Sequence, residues 1–143
     1  METIKIVYHD PNLKHIEKLA VGDWIDLRAA EDYILLQGEY TMINLGVSMK
    51  LPEGYEAHVA PRSSTFKNYG ILMTNSFGVI DNSYSGTNDI WKMPVYATRG
   101  TVINKNDRIC QFRIVPKQPE VVFEVVNELD STDRGGFGSS GVQ

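Results

Sequence analysis

The sequence contains one cysteine, Cys110, in 143 residues. No disulfide can close within the chain, which suits a cytoplasmic setting. Its three histidines, His9, His15 and His58, share no ligand spacing, so they leave no zinc-type ligand set. No apolar run approaches the length that spans a bilayer, and the chain is expected to have no membrane partner. The opening METIKIVYHD alternates and carries acids, unlike a secretory leader. Basic blocks are missing too. Fourteen Lys and Arg stand against 18 Asp and Glu, for a net charge of −4. That argues against duplex nucleic acid as a partner, because phosphate neutralisation supplies most of that affinity. A small phosphate ligand held by a few arginines remains open. The chain also has no GxxxxGK phosphate loop, no serine nucleophile elbow, no zinc-deaminase signature and no internal repeat.

What is present fits one soluble domain. A chain of this length buries roughly 68–70% of its unfolded surface, enough for a real core. Most of it falls into short alternating segments: TIKIVYH, YILLQ, YTMINLGVSMK, YEAHVAP, IWKMPVYAT, TVINK, DRICQFRIV and, after Pro119, VVFEVV. Turn residues recur every 8–12 residues or so, which predicts an all-β barrel or jelly-roll-like sandwich. Tyr55, Ala57 and Val59 share one face, as do Cys110, Phe112 and Ile114. Gln111 lies on the opposite face, either solvated or turned to a ligand. One short helix is expected within Ser64 to Tyr69, capped by Ser63 or Ser64. Trp91 is expected in the core rather than in a lid.

Four segments can carry chemistry. In APRSSTFK, Arg62 and two serines precede the helix start, where free N–H groups and a forked cation suit an anion. The same residues also suit a plain capped helix with a surface arginine. In TNSFGVIDNSYSGTNDIW, an apolar strand ends abruptly at Asp81, which predicts a β-hairpin with a carboxylate at its lip. Asp81 is either a turn-former or a general base within reach of a water. In NKNDRICQF, Asn106 sits where a tight turn calls for positive φ, which asparagine tolerates. In VGDWIDLRAAED, Asp23 and Asp26 flank Trp24, and carboxylates suit a hard cation such as Mg²⁺. The chain closes with STDRGGFGSSGVQ, either a Gly/Ser linker or a functional arm with one cation and one ring.

The order of these segments is more informative than any one of them. DLRAAED, PRSS, GVIDNSY, NDRICQ and a terminal DRGGFGSSG together resemble the five ordered motifs of the homotrimeric dUTPases. The resemblance runs from about Gly22 to Gly141. It implies a jelly-roll-like β-barrel over residues 1–130 and a flexible Gly-rich arm over residues 131–143. It implies a homotrimer with three active sites, each using segments of all three subunits, and hydrolysis of dUTP to dUMP and pyrophosphate with Mg²⁺. Asp81 matches the aspartate that activates water. Tyr84 matches the tyrosine under the deoxyribose. Asn75 matches a residue near uracil, and Gly78, Val79 and Ile80 belong to the base-pairing strand. Arg62, Ser63, Ser64 and Gln111 match the phosphate side, and Asp26 the aspartate that holds the metal through water. Arg134 matches the tail arginine on the γ-phosphate and Phe137 the ring over uracil, with Gly138 and Ser139 beside it. Three departures stand out: Trp24 replaces a glycine, Asn106 replaces a glycine, and Arg134 and Phe137 are three rather than five positions apart.

Two other readings of the sequence are open. A dCTP deaminase of the same superfamily would be longer and would lack the short RGGFGSSG tail. A regulatory protein partner, recognised through SGTNDIWKM, is compatible with catalysis.

Overall fold

A computed structural model describes residues 1–136. Among them lie eleven strands and one short helix. The strands are β1 (Lys5–Tyr8), β2 (Ile25–Arg28), β3 (Tyr33–Leu35), β4 (Tyr40–Asn44), β5 (Val47–Lys50) and β6 (Tyr55–Pro61). After helix α1 (Thr65–Tyr69) come β7 (Ile71–Met73), β8 (Gly78–Ile80), β9 (Lys92–Ala97), β10 (Thr101–Ile103) and β11 (Arg108–Pro116). Every pairing is antiparallel. The sheets run β2-β11-β6-β8, β4-β9-β7, β1-β5 and β10-β3. This is a jelly-roll-like all-β fold.

Alternation fills its core. Along β9, Met93, Val95 and Ala97 turn inward and are fully buried, while Lys92 and Tyr96 face out. Ala57, Val59, Cys110 and Phe112 meet them from β6 and β11. Trp91 is 1% exposed and packs edge-on against Phe112, with ring centroids 5.3 Å apart. Such a ring pair contributes beyond its buried area. Burial drives the Cys110 thiol far above its usual range, so it stays a neutral core group.

Several sequence expectations need correction. The helix start is fixed by Thr65 rather than by a serine cap. Ser64 occupies the cap position without a side-chain hydrogen bond. Buried Thr65 Oγ1 instead accepts from the Arg62 N–H (2.9 Å) and donates to the Ile109 carbonyl (3.0 Å). Burial makes the threonine bonds the stronger choice. The chain does turn at Gly38, with the Glu39 N–H donating to the Leu36 carbonyl at 3.1 Å, but the flanking strands pair elsewhere, β3 with β10 and β4 with β9. YTMINLGVSMK is split at Gly46, whose φ is +69 and whose hypothetical Cβ would meet Ala30 Cβ at 2.7 Å.

The VVFEVV segment forms no strand. Val122, Phe123 and Val125 are more than nine-tenths exposed. A strand needs a partner ladder, and among the described residues no sheet edge pairs with residues 121–126. The hairpin expected beyond β8 is also absent: β8 pairs with β6. Past Asp81 the chain makes two successive turns, closed by Tyr84 N–H to Asp81 O (3.0 Å) and Asp89 N–H to Gly86 O (3.1 Å). Side chains satisfy this loop instead of a ladder. Asp89 Oδ2 accepts from the Gly86 N–H at 2.9 Å, and the Tyr84 hydroxyl donates to the Ile90 carbonyl at 2.9 Å.

Candidate active site

Two groups of candidate residues take shape on the β2-β11-β6-β8 sheet. At one end, Gln111 on β11 stands opposite Asp26 on β2 and Ala60 on β6. The Asp26 carboxylate lies between two arginines. Arg62 Nε is 3.1 Å from its Oδ1, and Arg108 Nη1 is 3.8 Å from its Oδ2. Gln111 Nε2 donates to the Pro61 carbonyl at 3.1 Å, which ties it to the backbone just before Arg62. Ser63 is exposed and Ser64 half-buried beside Arg62. This end offers two guanidinium groups and an amide, suited to a phosphate chain. The cations, not the helix, supply that character: α1 is only five residues long. Asp23 does not join Asp26; it pairs with Arg113 at 3.2 Å, and Arg113 also lies over the Trp24 ring.

The other group surrounds β8. Val79, Ile80, Asp81, Ser83, Tyr84, Ile90, Lys92, Met42 and Trp91 line an open, mostly apolar groove of about 420 Å³. Asn75 lies on the turn that leads into β8, its Nδ2 3.7 Å from where a Cβ on Gly78 would stand. Asp81 sits at the groove's lip and is exposed. Its Oδ2 accepts from both the N–H and the hydroxyl of Ser83, the former at 2.9 Å. These two hydrogen bonds hold its carboxyl below the usual carboxylate range, and the Lys117 charge adds to the effect. Asn82 secures the turn from below. Its Nδ2 donates to the Pro52 carbonyl (3.0 Å) and the Tyr55 carbonyl (2.8 Å).

The two groups are far apart within one chain. Ile80 pairs with Ala57, which sets Asp81 level with Glu56 at the start of β6. Arg62 follows Pro61 at the other end of the strand. Six residues of strand separate the two levels, about 20 Å at the usual rise.

The dUTPase family model matches residues 19–141. The chain belongs to the dUTPase family. It is 57% identical over 140 residues to the SPbeta prophage-derived deoxyuridine 5'-triphosphate nucleotidohydrolase YosS of Bacillus subtilis, covering 98% of this chain and 99% of that one. It is 36% identical over 150 residues to the deoxyuridine 5'-triphosphate nucleotidohydrolase of Escherichia phage T5, covering 99% of both chains. Among solved structures, the Staphylococcus bacteriophage 80alpha dUTPase with dUPNHPP superposes with a TM-score of 0.79 at 22% identity, covering 98% of this chain and 99% of that one. That last likeness speaks for the fold.

Sequence reasoning missed Ser83, Asn82 and Arg108. Ser83 had a legible signal, since a hydroxyl two residues after an aspartate is a common turn partner. Arg108 sits inside NDRICQ but is distinguished only by the register that faces it toward Asp26. Lys92 and Met42 reach the groove from strands distant in sequence, and no local pattern marks them. Arg134 is exposed and outside any strand. Phe137, Gly138 and Ser139 lie outside the described residues.

Proposed function

We propose that the chain is a dUTP diphosphatase. A water activated by Asp81 attacks the α-phosphorus of dUTP, the bond to the β-bridging oxygen breaks, and dUMP and pyrophosphate leave. Asp81 takes the water's proton. The observation that carries this reading is Asp81 at the mouth of the groove, ionised and held by Ser83, with Tyr84 beside it. A base must be deprotonated at working pH and fixed within reach of its water.

The remaining roles are those that the resemblance to the dUTPases implies, and their chemistry agrees with it. The backbone of Gly78, Val79 and Ile80, with Asn75, faces the uracil edge. Cytosine would leave buried groups there unpaired, a heavy penalty. Tyr84 packs under the deoxyribose and leaves no room for a 2′-hydroxyl. Arg62, Ser63, Ser64 and Gln111 hold the phosphates. The arm over residues 131–143 closes the site on the barrel of residues 1–130. Arg134 binds the γ-phosphate, Phe137 covers the base, and Gly138 and Ser139 let the backbone come close.

The donor set bears on Mg²⁺. Among the described residues no three His, Cys, Asp or Glu side chains gather as a metal cage. Asp26 is a single carboxylate among cations. That fits an ion held mainly by the triphosphate, with Asp26 reaching it through water. Bound there, Mg²⁺ would neutralise phosphate charge.

The separation of Asp81 from Arg62 supports a homotrimer with sites shared between subunits. So does the exposed apolar run at residues 121–126, which none of the described residues covers. In a cytoplasmic setting the activity would limit uracil incorporation into DNA and supply dUMP for dTMP synthesis. No helix among the described residues is long and apolar enough to cross a membrane.

The test is pyrophosphate release from dUTP, dCTP, dTTP and UTP with Mg²⁺, with ammonia assayed in parallel. Release from dUTP alone is expected. Ammonia from dCTP, or silence on all four, would overturn the reading.

A further inference from the structure

Asp81 is exposed, yet its two oxygens are not equivalent. Oδ2 accepts two hydrogen bonds, both from Ser83. Oδ1 receives none among the described residues. The turn beneath is clamped by Asn82 to the 52–55 loop, and the Lys117 N–H donates to Gly54 O of that loop at 2.9 Å. The carboxylate therefore cannot simply rotate to exchange its oxygens without breaking both Ser83 bonds.

We propose that Ser83 is a positioning residue for the base: by occupying Oδ2 it assigns Oδ1 as the atom that takes the proton from water. The inference rests on the role given to Asp81 above. It carries a consequence for pH. Hydrogen bonds to the ionised form favour that form, so the base stays charged to lower pH than an ordinary aspartate. The charged groups nearby are few. Lys117 acts in the same direction as Ser83. Lys92 lines the groove. Glu56, next along β6, is engaged by His58 at 2.6 Å. Ser83 is the only one of these residues bonded to the Asp81 carboxylate among the described residues.

Ser83→Ala separates the hydroxyl from the backbone, because alanine keeps the N–H bond to Oδ2. A base is lost as pH falls through its pKa. Removing the hydroxyl raises that pKa, so the acid limb of kcat/KM moves to higher pH. A shift of roughly half a unit or more is expected, with kcat reduced about 3- to 10-fold and KM little changed. Ser83→Thr, which keeps the hydroxyl, should restore the parent profile. A Ser83→Ala limb that coincides with the parent's would overturn the proposal. Titration of the Asp81 carboxyl carbon by NMR, in the full-length protein without nucleotide, reads the same contact without turnover. An upward shift there in Ser83→Ala supports the contact even in a chain inert toward dUTP, where the activity reading would be what failed. An unchanged titration overturns it whatever the activity.

Discussion

Asp81 and Arg62 flank opposite ends of β6, separated by the strand's length rather than gathered at one point. With the roles proposed for these two residues, a single chain cannot bring the base to the phosphates that the arginine would hold. If the site joins Asp81 of one subunit to Arg62 of another, two dead variants can rescue each other. Asp81→Asn and Arg62→Ala chains, each inactive alone, are expected to regain activity when unfolded together and reassembled. Random mixing in equal amounts leaves about one quarter of the sites with both residues intact. Pyrophosphate release near that fraction of the parent rate supports shared sites. No recovery from verified mixed trimers would mean that both residues serve from one chain.

Asp81→Asn alone should leave the fold untouched, because the side chain is exposed and nearly the same shape. It cannot take a proton. Turnover of dUTP is expected to fall about 10²- to 10⁴-fold, the usual worth of a positioned base. Circular dichroism and the thermal midpoint should match the parent. A rate within a few-fold of the parent would remove Asp81 from the mechanism.

The exposed run from Val121 to Leu129 predicts a second behaviour. Large apolar side chains left in water on one chain mark a surface meant for another. If the chain forms the proposed trimer, ending it at Glu120 should shift it to monomer in sedimentation. Ending it at Thr132 should keep the trimer yet cost most of the turnover, since Arg134 and Phe137 are lost. A normal rate from the second truncation would return the tail to the status of a linker.

How much of this was legible in the sequence differs from element to element. Alternation announced β6, β9 and β11, because each buries one face and exposes the other. Trp91 also landed in the core as expected. Pairing partners were not legible. Gly38 carries a turn signal, yet β3 and β4 go to different sheets, since a local turn does not dictate which distant strand completes the ladder. VVFEVV has a strand's composition but finds no partner strand among the described residues. The motif order singled out Asp81, Tyr84, Asp26, Arg62 and Gln111. The Asp26 ion pairs with Arg62 and Arg108 needed the β2-β11-β6 register. Ser83's grip on Asp81 needed side-chain positions.

Asn106 offers a test of stability at the same sheet. Its φ is +76, a region that costs most side chains energy but suits asparagine or glycine. The residue is also a hub. Its Oδ1 accepts from the Lys14 N–H (2.8 Å), its carbonyl from Arg28 Nη1 (2.8 Å), and its N–H donates to the Ala29 carbonyl (2.8 Å). Glycine keeps the backbone bonds and relieves the φ, losing only the side-chain contact. Alanine loses that contact and adds strain. Asn106→Gly should therefore lie within about 1 kcal/mol of the parent, and Asn106→Ala about 1–3 kcal/mol below it. Denaturant unfolding at one fixed protomer concentration decides this, because the stability of any assembly varies with concentration. Equal losses in both variants would show that the Lys14 contact, not the backbone, sets the need for asparagine. The turn also leads directly into Arg108 and β11, so the alanine variant should weaken dUTP binding more than it slows turnover.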